Sequence, residues 1–130
     1  MQYDKINGLE KSISKLIIGN DNQTDYDEAA KLWDHWVDVG GNAFDNAHIY
    51  GGGSMETLLG KWHKTRNNLN DLVIIAKGAH TPNCDPKSIS MQLTESLDRL
   101  KCDNVDIYIM HRDNTDIPVS EFIDVLNEEK

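Results

Sequence analysis

Leu72-Val73-Ile74-Ile75-Ala76-Lys77-Gly78 decides the fold: a run of β-branched and other apolar residues stops at an amine followed by a glycine. The same layout recurs on both sides of it. Ala43-Phe44 leads to Asp45 and then Tyr50, and the apolar stretch 105–110 leads to His111. Repeated in this way, the layout describes a row of parallel strands whose carboxyl ends deliver an acid, a phenol, an amine and an imidazole to one rim. A phenol with amine, carboxylate and imidazole helpers is suited to proton transfer.

Between the strand candidates (14–18, 42–45, 72–76 and 105–110) the apolar spacing changes to that of helices. Ala29, Leu32, Trp33, Trp36 and Val37 form one helical stripe, with Asp25 and Glu28 as cap and N3 partner and Gly40-Gly41 as the stop. Met55, Leu58, Leu59 and Trp62 form a second, and Ile89, Leu93, Ser96, Leu97 and Leu100 a third, opened by the capping pair Asp85-Pro86. Val119, Phe122, Ile123 and Leu126 form the fourth. The three tryptophans, Trp33, Trp36 and Trp62, fall on these faces and read as packing residues. Strict strand–helix alternation implies parallel strands joined by right-handed crossovers, an α/β arrangement. Asn7-Gly8 marks a turn, so residues 1–12 are expected to form a turn or small hairpin. No linker interrupts the chain, and 1–130 reads as a single domain of four parallel βα units. Periodicity alone leaves an open sheet and part of a barrel both standing.

Composition removes several function classes. With 38% hydrophobic and 27% charged residues the chain is of ordinary globular type, and its formal net charge of −9 opposes nucleic-acid backbones and anionic bilayers. The longest apolar run falls far short of the roughly 20 residues needed to span a bilayer. The start, Met1-Gln2-Tyr3-Asp4-Lys5, has no signal-peptide core, so cytoplasmic residence is expected. Cys84 and Cys102 lack metal-site or scaffold spacing and are expected to be free thiols. His35, His48, His63, His80 and His111 are scattered singly, and no metal is expected. Gly51-Gly52-Gly53 lacks the spacing of a phosphate loop and reads as a flexible turn. The acidic stretch 21–28 has Tyr26 where a calcium loop requires glycine, which leaves a solvated loop and helix cap.

Phe44-Asp45-Asn46-Ala47-His48-Ile49-Tyr50-Gly51 resembles the aldo-keto reductase signature, in which an Asp and a Tyr flank a short loop after the second barrel strand. The likeness continues in register. Gly53, Glu56, Leu58, Leu59 and Gly60 resemble the following helix, and Ile74-Ile75-Ala76-Lys77-Gly78 the third strand with its lysine. Glu95-Ser96-Leu97 and Arg99-Leu100 resemble the next helix, and Asp106-Ile107-Tyr108-Ile109-Met110-His111-Arg112 the fourth strand with its histidine. Residues 12–20 resemble the first strand and its glycine. Asn46 stands where the family often has Thr.

The resemblance implies a (β/α)8 barrel of TIM type, here about half of one, and an oxidoreductase that uses NADP(H), less often NAD(H), to interconvert a small-molecule carbonyl and its alcohol. It implies Asp45, Tyr50, Lys77 and His111 as the catalytic residues. Gly19, Asn20 and Asp45 would meet the cofactor, and His111, His48 and His80 the substrate. A carbonyl that receives a hydride needs a proton donor as charge develops on its oxygen, and a phenol is an effective donor near neutrality only beside a positive charge. In this reading Tyr50 is the acid/base, Lys77 supplies the charge, Asp45 holds Lys77, and His111 orients the oxygen. Singly, each has an ordinary structural explanation: Tyr50 as a packing residue, Lys77 as a snorkelling lysine, Asp45 as a cap, His111 as an edge histidine. Their shared rim and register favour the site.

As the N-terminal half of such a barrel, a fragment, the chain would lack the phosphate-binding loops usually found after strands seven and eight, so the isolated chain is expected to bind cofactor weakly. Two other outcomes are carried. One is a regulatory module on the same fold, like the resembling potassium-channel β subunits; the other is a half-barrel that self-associates. The oligomeric state is not read from the sequence.

Overall fold

The computed structural model describes residues 1–130. At its N-terminus, β1 (Tyr3–Asp4) and β2 (Ile13–Ser14) pair antiparallel, with Gly8 supplying the positive φ of the intervening turn. Four further strands follow: β3 (Ile18–Gly19), β4 (Ala43–Asp45), β5 (Val73–Gly78) and β6 (Ile107–Met110). They make one parallel sheet in the order β3-β4-β5-β6. The helices α1 (Tyr26–Asp38), α2 (Ser54–Arg66), α3 (Pro86–Leu100) and α4 (Val119–Glu128) alternate with them, as expected from the periodicity.

The first expected strand, 14–18, is divided. Ser14 Oγ donates to the Leu16 carbonyl and Ser14 N donates to Asn42 Oδ1, which turns the chain between β2 and β3. Its two ends therefore join different sheets. The caps of α1 and α3 form as the sequence indicates, with Asp25 Oδ1 accepting from Glu28 N at 3.0 Å and Asp85 Oδ1 from Ser88 N at 2.9 Å.

The sheet separates two layers of apolar residues by the two-residue period of its strands. Phe44 and Ile74 face the helices and meet Trp33, Leu59, Trp62 and Leu100. The Trp62 ring stands 5.6 Å from that of Trp33 and 5.5 Å from that of Phe44, and its indole N–H donates to Asp34 Oδ1, so a large aromatic is buried with its polar end satisfied. Ala43, Val73 and Ile75 face the other way, where Ile13 and Leu9 of the hairpin region and Ile107 cover them. Continuing that alternation upward places Asp45, Lys77 and His111 on the same inner face, one step above the apolar layer.

β3 and β6 each have one edge without a partner strand. Near β6 the apolar stripe is correspondingly less covered: Ile109, Val119 and Ile123 are exposed, whereas Phe122 is buried. Leu32 is also exposed, because α1 turns only part of its stripe toward α2 and the sheet. We predict that Leu59→Ala lowers unfolding stability by about 2–5 kcal/mol, whereas Leu32→Ala costs under about 1 kcal/mol. Denaturant titration of the two variants measures both values.

Candidate active site

The parallel ladder continues beyond the strands and fixes the loops that carry the polar residues. Asn20 N donates to the Asp45 carbonyl, Asn46 N to that of Ile75, His48 N to that of Lys77, and His111 N to that of Gly78, at 2.6–3.0 Å. Each strand end is thereby tied to its neighbour at the rim. Asp45 pairs in register with Ile75, and Lys77 two residues further on pairs with Ile109.

Three of the four sequence candidates meet at one atom. Lys77 Nζ donates to Asp45 Oδ2 at 2.7 Å and to the Tyr50 hydroxyl at 2.9 Å. Burial disfavours the ammonium, but its bonds to Asp45 and Tyr50 outweigh that cost and hold the Lys77 pKa above the ordinary lysine value. The His111 ring stands edge-on to Tyr50 with centroids 5.7 Å apart. Burial pushes the His111 imidazole below the usual histidine range, and His80, Lys77 and Arg112 push it the same way, which favours the uncharged ring. A neutral imidazole can donate a hydrogen bond to a carbonyl without competing as a strong acid.

Tyr50 begins a tight turn in which Gly51, Gly52 and Gly53 take φ of 56°, 62° and 94°. Three successive left-handed residues explain the glycine run. At Gly53 there is a second demand: a Cβ would collide with the Arg99 guanidinium beneath it. That guanidinium donates to the His48 carbonyl at 3.2 Å, to Glu56 Oε2 at 3.3 Å and to Glu95 Oε2 at 3.1 Å. Glu95 Oε2 also accepts from His48 Nε2 at 2.6 Å. Arg99 therefore pins both sides of the Tyr50 loop. Sequence reasoning missed this network, and only Glu95 and Arg99, four apart on one helix, gave a local hint.

The remaining candidates have distinct placements. His48 and His80 line a cleft of about 190 Å³ together with Lys77 and His111, and the His80 and His111 rings are 4.8 Å apart. Gly19 is exposed at the end of β3. Asn20 is fully buried: its Nδ2 donates to Asn46 Oδ1 and to the Met55 carbonyl, while its Oδ1 has no partner. Among the His, Cys, Asp and Glu side chains, no group of three is placed to hold a metal ion.

The aldo/keto reductase family model matches residues 15–130. The chain is an aldo-keto reductase family member. Its relatives include an uncharacterized oxidoreductase of Bacillus subtilis, 29% identical over 93% of this chain and 43% of the relative. A probable voltage-gated potassium channel subunit beta of Oryza sativa is 32% identical over 98% of this chain and 42% of that protein. Among solved structures, the holo form of an aldo-keto reductase from Bacillus halodurans superposes with a TM-score of 0.85 at 26% identity, covering 98% of this chain and 46% of the other. A thermostable aldo-keto reductase bound to the inhibitor epalrestat gives 0.83 at 28% identity, covering 98% and 49%. This aldo-keto reductase chain thus spans less than half the length of these relatives, and its open four-stranded sheet is part of their (β/α)8 barrel.

Glu56 supplies a pH-dependent test of the Arg99 network. It has no exposed surface, and burial pushes its carboxyl above the usual range, with Ser96 and Arg99 offsetting only part of that. A folded pKa above the unfolded one means that the charged carboxylate costs stability as pH rises through the folded value. Removing its cation enlarges that cost. Arg99→Met is expected to lower stability by about 3–5 kcal/mol near neutral pH. The deficit should shrink as pH falls toward 4.5, the ordinary glutamate value, which denaturant titrations across that range measure.

Proposed function

We propose that this chain carries the proton-handling side of an NADP(H)-dependent carbonyl reductase acting on a small-molecule carbonyl or alcohol in the cytoplasm. The single observation that carries the reading is the Lys77 ammonium bound at once to Asp45 and to the Tyr50 hydroxyl. That arrangement keeps a positive charge beside a phenol, with Lys77 and His111 lining the adjoining cleft. In the reductive direction Tyr50 donates its proton to the carbonyl oxygen, Lys77 stabilises the phenolate left behind, and Asp45 keeps Lys77 charged and aimed. His111 donates a hydrogen bond to the same oxygen and orients it. In the oxidative direction the Tyr50 phenolate accepts the alcohol proton.

The cofactor, when bound, supplies the hydride. Gly19, Asn20 and Asp45 would hold its reactive end, and two features support this fit: the exposed Gly19 offers no side chain to obstruct close approach, and Asn20 Oδ1 is a buried acceptor without a partner. We take residues 1–130 as the N-terminal half of the barrel, within which this rim is one wall of the site. A second reading, a binding or regulatory module on the same fold, is favoured by the similarity to the potassium channel beta subunits.

Turnover distinguishes the two. In the full-length barrel, with NADPH and a panel of small aldehydes, Tyr50→Phe is expected to lower kcat by about 10²–10⁴-fold while cofactor binding is retained. Absence of turnover by the unsubstituted full-length barrel across the panel would favour the module.

A further inference from the structure

The cleft in front of Lys77 and His111 has an unusual chemical make-up for this chain. The protein has 22 Asp and Glu residues, yet none of the 11 residues lining the cleft is acidic and only one is hydrophobic. In their place stand His48, His80, His111, Lys77, Asn83 and Gln92. The carboxylates bonded to lining residues are already engaged: Asp45 by Lys77, and Glu95 by both His48 and Arg99. The fields of His80, Lys77 and Arg112 all press on His111 in the same positive sense, with Asp45 in opposition. The net −9 of the chain therefore does not extend to the cleft.

Gln92 gives this wall a fixed orientation. It is 4% exposed, and its Oε1 accepts from the buried Ala79 N–H at 2.7 Å. With the oxygen committed, the amide NH2 is the end left to the cleft. His80 donates Nδ1–H to the Thr81 carbonyl at 2.8 Å, which leaves Nε2 as its free nitrogen. The carbon faces of the imidazoles, Pro82 and Ile49 can take the short carbon skeleton of a substrate, and a purely apolar or aryl one would leave the Gln92 amide without a partner. An oxyanion would meet the Gln92 amide donor and the Lys77 charge, while the Asp45 and Glu95 carboxylates are each held by a cation.

We propose that the cleft takes a short carbonyl compound bearing an anionic group, carboxylate or phosphate, held by the Gln92 amide beside His80 while Tyr50 and His111 hold the carbonyl. The 4.8 Å between the His80 and His111 rings puts the two groups of the substrate within a few bonds of each other. The assignment rests on the carbonyl-reductase reading of the same rim.

The test is binding rather than turnover, so a failure of the hydride-transfer reading leaves its readout intact. The imidazole Cε1–H signals of the 13C-labelled chain are followed at one fixed pH during titration with pyruvate, 2-butanone or acetophenone. Pyruvate is expected to shift His80 and His111 and to bind tighter than butanone by about tenfold or more. Gln92→Glu keeps an oxygen for the Ala79 N–H but replaces the donor with a like charge; it should abolish the pyruvate preference while butanone shifts, which report the fold, persist. Acetate and inorganic phosphate distinguish the two sources of anion, and the one that displaces pyruvate identifies it. Equal or tighter binding of butanone or acetophenone, an unchanged preference in Gln92→Glu, or displacement by neither anion would overturn the proposal.

Discussion

Parallel pairing of β4 with β5 is the constraint on which the rest of the molecule depends. Asp45 lies level with Ile75, and Lys77 stands two residues above it on the same face. The register delivers the lysine amine to within 2.7 Å of the carboxylate. A slip of one residue would turn Lys77 into the helix-facing layer with Phe44 and Ile74, where an ammonium has no partner and a large desolvation cost. The apolar layers below and the ion pair above therefore enforce the same register.

Outward from that pairing, each part of the rim is held by a different kind of contact. Backbone bonds beyond the strand ends fix Asn20, Asn46, His48 and His111. The loop to Tyr50 is too irregular for a ladder and is held by Arg99, which bonds the His48 carbonyl on one side and underlies Gly53 on the other. Arg99 is in turn held by the buried Glu56 and by Glu95. Placement of the phenol therefore depends on helices α2 and α3 as well as on the sheet.

The strand-end residues were legible in the sequence because alternation is a local signal: Val73, Ile75 and Lys77 share a face by spacing alone. The helices were legible for the same reason, as were the Asp25 and Asp85 caps. What escaped was determined by distant partners. Ser14–Ile18 has the composition of one strand, and only the bonds to Asn42 and Leu16 show where it breaks. Glu56, Gln92 and Arg99 read as ordinary helix positions, since their partners are remote in the chain or are backbone groups. Val119 and Ile123 of α4 belong to an apolar pattern yet stay largely exposed, because periodicity records a face and not what lies against it.

One ammonium couples Asp45 to Tyr50. NMR titration of the Lys77 Cε resonance in the unsubstituted chain, in Asp45→Asn and in Tyr50→Phe tests it most directly. Lys77 is expected to titrate above the ordinary 10.5 in the unsubstituted chain and at a lower pH in each variant, with the larger fall in Asp45→Asn. A Lys77 that titrates with the exposed lysines in all three would contradict it.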